Sequence, residues 1–335
     1  MARSPKAVLH VSAEMQHQTL GSVLRRWQPE KSWSQIRRLF SSRRVMVDGN
    51  LIKDPGRRVQ VGQVVKLLDN PLPSPATEHD VRVYYRDADV VVVEKPSGMT
   101  SIRHPDEDRM PRRRRQLQPT LTELLPRVLA RIERSQGQGG ARRAVRAVHR
   151  LDRETSGLMV FARNVKAESF LGHQFRDHSI RRVYWAIVAG HIKEQTIDAN
   201  LVRDRGDGRR GVSSKEDDGK RAVTHVMPLE HLAGATVVEC RLETGRTHQI
   251  RIHLAAQGHP VCGDNVYGSK RSGNDALATA PRLALHAAKL GFVHPVSQKL
   301  LEFAAPIPDD LVQYLERLRS SSSSGSFARR RSEQS

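Results

Sequence analysis

His149-Arg150-Leu151-Asp152-Arg153-Glu154-Thr155-Ser156-Gly157-Leu158-Met159-Val160-Phe161 sets one carboxylate between two arginines, follows it with turn formers and then runs into an apolar segment that reads as a buried strand. By spacing alone Asp152 is either a working acid or a capping or solvated loop residue. The apolar run after it requires a sheet with a substantial core. At 335 residues the chain is long enough to bury one in a large domain, with a small domain and tails besides.

His149-Arg150-Leu151-Asp152 with Thr155-Ser156-Gly157 resembles the signature of the RluA family of RNA pseudouridine synthases, and Gly245-Arg246-Thr247-His248-Gln249-Ile250-Arg251 resembles a second motif of that family. Lys95-Pro96-Ser97-Gly98 resembles its Lys-Pro-x-Gly loop, although such loops are common in turns. The resemblance spans about residues 80 to 305. It implies an α+β fold with a large mixed, mainly antiparallel sheet of pseudouridine synthase type. Asp152 is then the acting carboxylate, Arg251 its ion-pair partner and Tyr184 the ring that stacks on the target base. Arg150 is implied to enter the space that base vacates, with Arg246 and His248 as weaker candidates for RNA contact. Gly263-Asp264-Asn265-Val266-Tyr267-Gly268 also resembles the family and is read as architectural.

Composition agrees with a nucleic-acid partner. Lys and Arg number 56 against 36 acidic residues, a net charge of +20 with a pI near 10.8, which favours a polyanion. No apolar run approaches the roughly 20 residues of a membrane span, and the N-terminus carries no signal-like apolar core. Two cysteines, Cys240 and Cys262, are too few for a disulfide framework, so a cytoplasmic setting is expected. The 15 histidines form no spaced ligand set, so no metal is expected.

Along the chain, residues 1–17 carry little pattern. Leu20, Val23, Leu24 and Trp27 recur at helical spacing, and Ser32 or Ser34 is placed to cap a second helix with Ile36, Leu39 and Phe40 on one face. Arg37, Arg38, Arg43 and Arg44 crowd its other side, followed by strand, Asp-Gly turn and strand over 45–52. This order resembles the alpha-L RNA-binding domain of ribosomal protein S-four, here over 18–68, with the four arginines as phosphate contacts. A generic helical cap with a solvated basic face is the alternative. Pro-rich residues 69–80 read as a linker, 81–317 as the catalytic domain, and the Ser- and Arg-rich 318–335 as a disordered tail. Strands are expected over 81–85, 90–93, 182–188, 223–227, 235–242 and 283–293. Helices are expected over 121–132 and 165–177, with a strand-to-helix turn over 243–254. The arginine-rich 103–118 is expected to be a mobile loop.

Turning uridine into pseudouridine moves the sugar from a ring nitrogen to a ring carbon without redox change or group donor. An ionised carboxylate suffices and no cofactor is required. The resemblance therefore implies a cofactor-free isomerase acting on RNA, with large-subunit ribosomal RNA ahead of transfer RNA as substrate; a monomer is expected, though the sequence itself is silent on oligomeric state. The other class to weigh is a non-catalytic RNA-binding assembly factor, which has no need of Asp152, Tyr184 and Arg251 together.

Overall fold

The computed structural model describes residues 8–47, 50–68, 76–103, 119–137, 139, 144–203, 210–213, 215, 218–268 and 279–332. The chain divides into two compact units, Met1–Pro75 and Ala76–Ser335.

In the first unit, helix α1 (Leu20–Trp27) begins at Thr19, whose side chain accepts from Ser22 N–H. Helix α2 (Trp33–Ser41) begins at Ser32 in a reciprocal capping box with Gln35. Both pack Leu20, Leu24, Ile36 and Phe40 against a four-stranded sheet. Its strands β1 (Val8–His10), β2 (Val45–Val47), β3 (Asn50–Leu51) and β4 (Val64–Leu67) lie in the order β1-β4-β2-β3. The domain therefore starts before residue 18: β1 pairs antiparallel with β4, and Val11 joins the core. A three-residue strand is too short to declare itself by alternation. Arg37 and Arg38 are exposed on α2. Arg43 takes a left-handed backbone at φ 57° as the helix ends, and the buried Nε of Arg44 meets no hydrogen-bond partner.

The second unit begins earlier than residue 81, with a 3-10 turn at Glu78–Asp80 capped by Thr77. The rest of the expected linker, residues 69–75, lies outside the described residues, as do 104–118 of the arginine-rich segment. Eleven strands form one sheet: β5 (Arg82–Arg86), β6 (Val90–Lys95), β7 (Arg146–Ala147), β8 (Ser156–Ala162), β9 (Arg181–Ala189), β10 (Gln195–Val202), β11 (Gly211–Val212), β12 (Lys220–Leu232), β13 (Ala235–Leu242), β14 (Leu285–Val293) and β15 (Leu300–Ala304). The main order is β11-β10-β12-β13-β9-β14-β8-β6-β5, with β15 beside β14 and β7 beside β8. All pairings are antiparallel except β8 with β14, which run parallel through Ser156↔His286 and Gly157↔Ala287.

β8 is buried along its whole length because both of its faces are covered. Met159 and Phe161 face the core that holds Leu121, Leu125 and Val128 of helix α3 (Leu121–Ser135). Leu158, Val160 and Ala162 face the core that holds Ala167 and Leu171 of helix α4 (Val165–Arg176). Gly157, at φ +119°, is required at the parallel junction: a Cβ there would stand 2.3 Å from the Ala287 carbonyl oxygen. Helix α5 (Gln249–Ala256) follows β13, and helix α6 (Asp309–Ser332) closes the chain.

Helix α6 corrects the expectation of a disordered tail from 318. Leu311, Tyr314, Leu315 and Leu318 recur at helical spacing and pack into the main core. Arg319 then pairs with Glu230, so the packed helix face reaches past the expected domain end and the helix continues through the serines. No helix among the described residues is long and apolar enough to cross a membrane.

Candidate active site

Asp152 sits in a short loop between β7 and β8. Thr155 N–H donates to the Asp152 carbonyl at 3.1 Å, closing a turn over Arg153 and Glu154. Residues 95–101 clamp that turn. Lys95, wholly buried at the end of β6, donates from Nζ to the carbonyls of Pro96 (3.0 Å), Met99 (2.8 Å) and Arg153 (3.1 Å). Gly98 N–H also donates to the Arg153 carbonyl (2.8 Å), Arg153 Nε returns a bond to the Gly98 carbonyl (3.1 Å), and Ser97 Oγ donates to the Glu154 carbonyl (2.7 Å). Ser101 Oγ accepts from Leu151 N–H (3.1 Å) and donates to the Leu151 carbonyl (2.7 Å). Burial pushes the Lys95 amine down to about 7. Pulling the other way are the Glu154 and Asp152 charges, and only the three-donor ammonium satisfies all three carbonyls.

His149 braces the same loop. Its Nε2 accepts from Val160 N–H at 3.1 Å and its ring stacks on Phe175 at 4.5 Å. Burial pushes it down to about 3, so the ring is a neutral acceptor at physiological pH.

The second motif arrives on the loop that opens α5. Gln249 is its buried anchor: Oε1 accepts from Thr244 Oγ1 (2.8 Å) and Arg246 N–H (2.9 Å), while Nε2 donates to the Val223 carbonyl (2.9 Å) and to Thr224 Oγ1 (3.0 Å). His248 precedes the helix in a left-handed conformation (φ 59°) and makes no cap bond. Arg251 lies three residues on, in the first turn of α5, and both side chains turn toward Asp152. Arg251 Nη1 is 3.4 Å and His248 Nε2 is 3.8 Å from Asp152 Oδ2.

Arg251 is held more tightly by a different acid. Its Nε and Nη2 donate to the two carboxylate oxygens of Asp264 at 2.7 and 2.9 Å, with both side chains buried. Asp264 Oδ1 also accepts from Val266 and Tyr267 N–H (2.8 and 3.0 Å). The Tyr267 ring stands 5.2 Å from the Arg251 guanidinium, and its hydroxyl meets His248 Nδ1 at 2.9 Å. Burial opposes both charges of the pair, but the mutual bonds outweigh it: Arg251 is raised above the usual arginine value and Asp264 lowered below the usual carboxylate value. The segment read as architectural thus positions Arg251. Only the glycines carry the architectural part, Gly263 most clearly, where a Cβ would meet the Arg282 carbonyl oxygen at 1.9 Å.

Asp152, Arg251, His248 and Tyr184 converge. Tyr184, on β9, is 8% exposed, and burial with the nearby Asp152 charge raises its phenol above the usual value. Arg150 is exposed beside the loop. Arg246 is exposed and donates from Nε to the Arg221 carbonyl (3.2 Å). It borders a cleft of about 1090 Å³ also lined by Arg182, Arg241 and Lys289, but not by Asp152 or Arg251. Arg37, Arg38, Arg43 and Arg44 belong to the first unit. Sequence reasoning missed Asp264, Tyr267, Lys95 and Ser101 as parts of the site. Asp87, Asp89 and His294 bring ligand atoms within 4.8 Å of one another. Their oxygens are already engaged by Val90 N–H, Tyr85 Oη, His294 and Asn164, which tie the β5–β6 turn together.

A family model for RNA pseudouridylate synthase matches residues 89–256, and an S4 domain model matches 20–65. The chain is 38% identical over 271 residues to ribosomal large subunit pseudouridine synthase D of Zymomonas mobilis, covering 78% of this chain and 81% of that protein. It is 36% identical over 297 residues to the RNA pseudouridine synthase YlyB of Bacillus subtilis, covering 87% and 91%. Among solved structures, human RNA pseudouridylate synthase domain containing 1 matches with a TM-score of 0.53 and 25% identity over 74% of this chain and 98% of that one. With this sheet, this motif order and these relatives, the chain belongs to the RNA pseudouridylate synthase family and is an RNA pseudouridine synthase with an S4 domain at its N-terminus.

Proposed function

We propose that this enzyme isomerises uridines of large-subunit ribosomal RNA in the cytoplasm, acting as a monomer, with Asp152 as nucleophile or base. The observation that carries the assignment of Asp152 is its setting: a carboxylate 17% exposed, 3.4 Å from a buried guanidinium, on a loop fixed by six hydrogen bonds shared with residues 95–101. Arg251 gives that carboxylate a charged hydrogen-bond partner in a partly desolvated setting. The target base leaves its stack at a cost of a few kcal/mol and is received against Tyr184. With the base everted, Asp152 faces the sugar carbon while the glycosidic bond to nitrogen breaks. Its charge offsets the electron demand there.

Ribosomal RNA is favoured by the name of the relative in Zymomonas mobilis. The S4 domain and the net charge of +20 agree with a structured RNA partner. The basic rim of the cleft beside β9 offers phosphates a second track. The test is Asp152→Asn, assayed on total RNA by pseudouridine mapping and, separately, by RNA affinity. Loss of product with RNA binding nearly unchanged is expected. Retained turnover overturns the role of Asp152, and sites mapped only in transfer RNA overturn the substrate.

A further inference from the structure

We propose that His248 is the base that removes the hydrogen from C5 of the target uracil, a role that rests on the isomerase reading above. The atom balance of the reaction demands such a group. Uridine carries a hydrogen on C5 and the sugar on N1, whereas pseudouridine carries the sugar on C5 and a hydrogen on N1. Once the new C1′–C5 bond has formed, C5 bears both the sugar and its hydrogen. The hydrogen leaves as a proton, the bonding pair restores the C5–C6 double bond, the C6–N1 pair returns to N1, and N1 takes up a proton. Nothing is oxidised or reduced.

At that stage C5 is bonded to C1′, the carbon that Asp152 faces. The base must therefore stand within a few ångströms of the Asp152 carboxylate. Arg251 is excluded because it stays charged in its pair with Asp264. Tyr184 is taken up by the face of the base it receives in the reading above, and burial raises its phenol above the usual value, against forming a phenolate. His248 has what the step needs: Nε2 lies 3.8 Å from Asp152 Oδ2, and Nδ1 is held by Tyr267 Oη at 2.9 Å. With Nδ1–H donating to that oxygen, the lone pair of Nε2 is free to take a proton.

The backbone supports the same role. A left-handed backbone is unfavourable for a residue other than glycine and is kept where the surroundings over-determine it. His248 precedes α5 in that conformation at φ 59°, and its ring is directed to Asp152 and Tyr267 instead of capping the helix. The charges facing the ring are Asp152 and Asp264, which favour the imidazolium, and Arg251 and Arg210, which oppose it; burial is the largest influence and keeps the ring neutral beforehand. When the proton arrives, the Asp152 carboxylate stands close enough to offset the new charge.

The test uses the full-length enzyme and an RNA carrying deuterium on C5 of the target uridine. His248→Asn keeps a residue type that tolerates the left-handed backbone and an amide that can meet Tyr267, but it cannot carry the proton. Under single-turnover conditions the variant is expected to lose about 100-fold in rate, in line with general-base catalysis. RNA affinity should be unchanged, and the hydrogen-to-deuterium rate ratio should exceed that of the wild type. No rate loss, or a rate loss with an unchanged ratio, overturns the proposal and leaves the proton to Asp152 or water. Failure of the wild-type enzyme to convert the unlabelled RNA would instead sink the isomerase reading, so the two failures are distinct.

Discussion

Replacing Asp264 by asparagine tests whether the guanidinium beside Asp152 is positioned by a second acid. Asp264 Oδ1 can be retained as the amide oxygen, keeping the bonds from Val266, Tyr267 and Arg251 Nη2. The amide nitrogen then replaces Oδ2 and faces Arg251 Nε, which now donates at 2.7 Å, so a charge-assisted bond becomes a donor–donor contact. Removing one partner of a buried pair costs about 3–5 kcal/mol. Asp152, 3.4 Å from Nη1, still offsets part of the stranded charge, which puts the expected loss at the low end, about 3 kcal/mol. For a domain this large that is a fall of about 6–12 °C in Tm.

The pH dependence carries a sign. Asp264 is lowered in the folded state, so the unfolded chain binds the proton first on acidification. The stability this contributes is complete above the ordinary Asp value of about 3.9 and is lost as pH falls through the lower folded value. The variant lacks that contribution, so the two stability curves converge in acid. Denaturant unfolding of the wild type, Asp264→Asn, Arg251→Met and the double variant gives the coupling directly. A single-variant loss under about 0.5 kcal/mol, or strictly additive losses, would refute the view that Asp264 holds Arg251.

Gly157→Ala forces a Cβ to within 2.3 Å of the Ala287 carbonyl at φ +119°; a loss above about 4 kcal/mol is expected, and a Tm within a few degrees of wild type would disprove the tight junction. Lys95→Met strands the Pro96 and Met99 carbonyls, while Arg153 keeps the Gly98 donor. At about 1–3 kcal/mol per unsatisfied group, the variant should be destabilised and the Gly98 and Leu151 amides should exchange faster with deuterated water; unchanged exchange would remove Lys95 from the clamp. Converting Arg37, Arg38, Arg43 and Arg44 together to glutamate should flatten the dependence of RNA affinity on salt, by about 0.7–0.9 in log–log slope for each phosphate that is no longer neutralised. An unaltered slope would take the second helix off the RNA.

The helix that begins at Ser32 was legible from its cap, and those that begin at Thr19 and Thr120 from apolar residues at helical spacing. The same holds for β8, whose apolar run admits little except burial on both faces. Strand β10 was not, because only Ile197 and Leu201 turn inward, four residues apart, with Asp198 and Asn200 between them. Strand β15 alternates between exposed and half-buried residues and buries none of them fully, so it offers no apolar run to read. In the site, the Asp152–Arg251 pair followed from the motifs. Asp264, Lys95 and Ser101 did not, because their partners are chain segments brought alongside only by the fold: no local pattern says that a lysine will meet three carbonyls. The left-handed turn at His248 is likewise imposed by the Gln249 anchor and by what surrounds the ring.

Ser101 and Leu151 are 50 positions apart and bonded twice through one hydroxyl. The chain departs from the acid's immediate neighbourhood at the first and comes back to it at the second. Whatever is threaded between them begins and finishes at one fixed staple. Changes between those two positions that leave helix α3 seated on the core need not move the carboxylate, because the staple fixes both ends of the excursion.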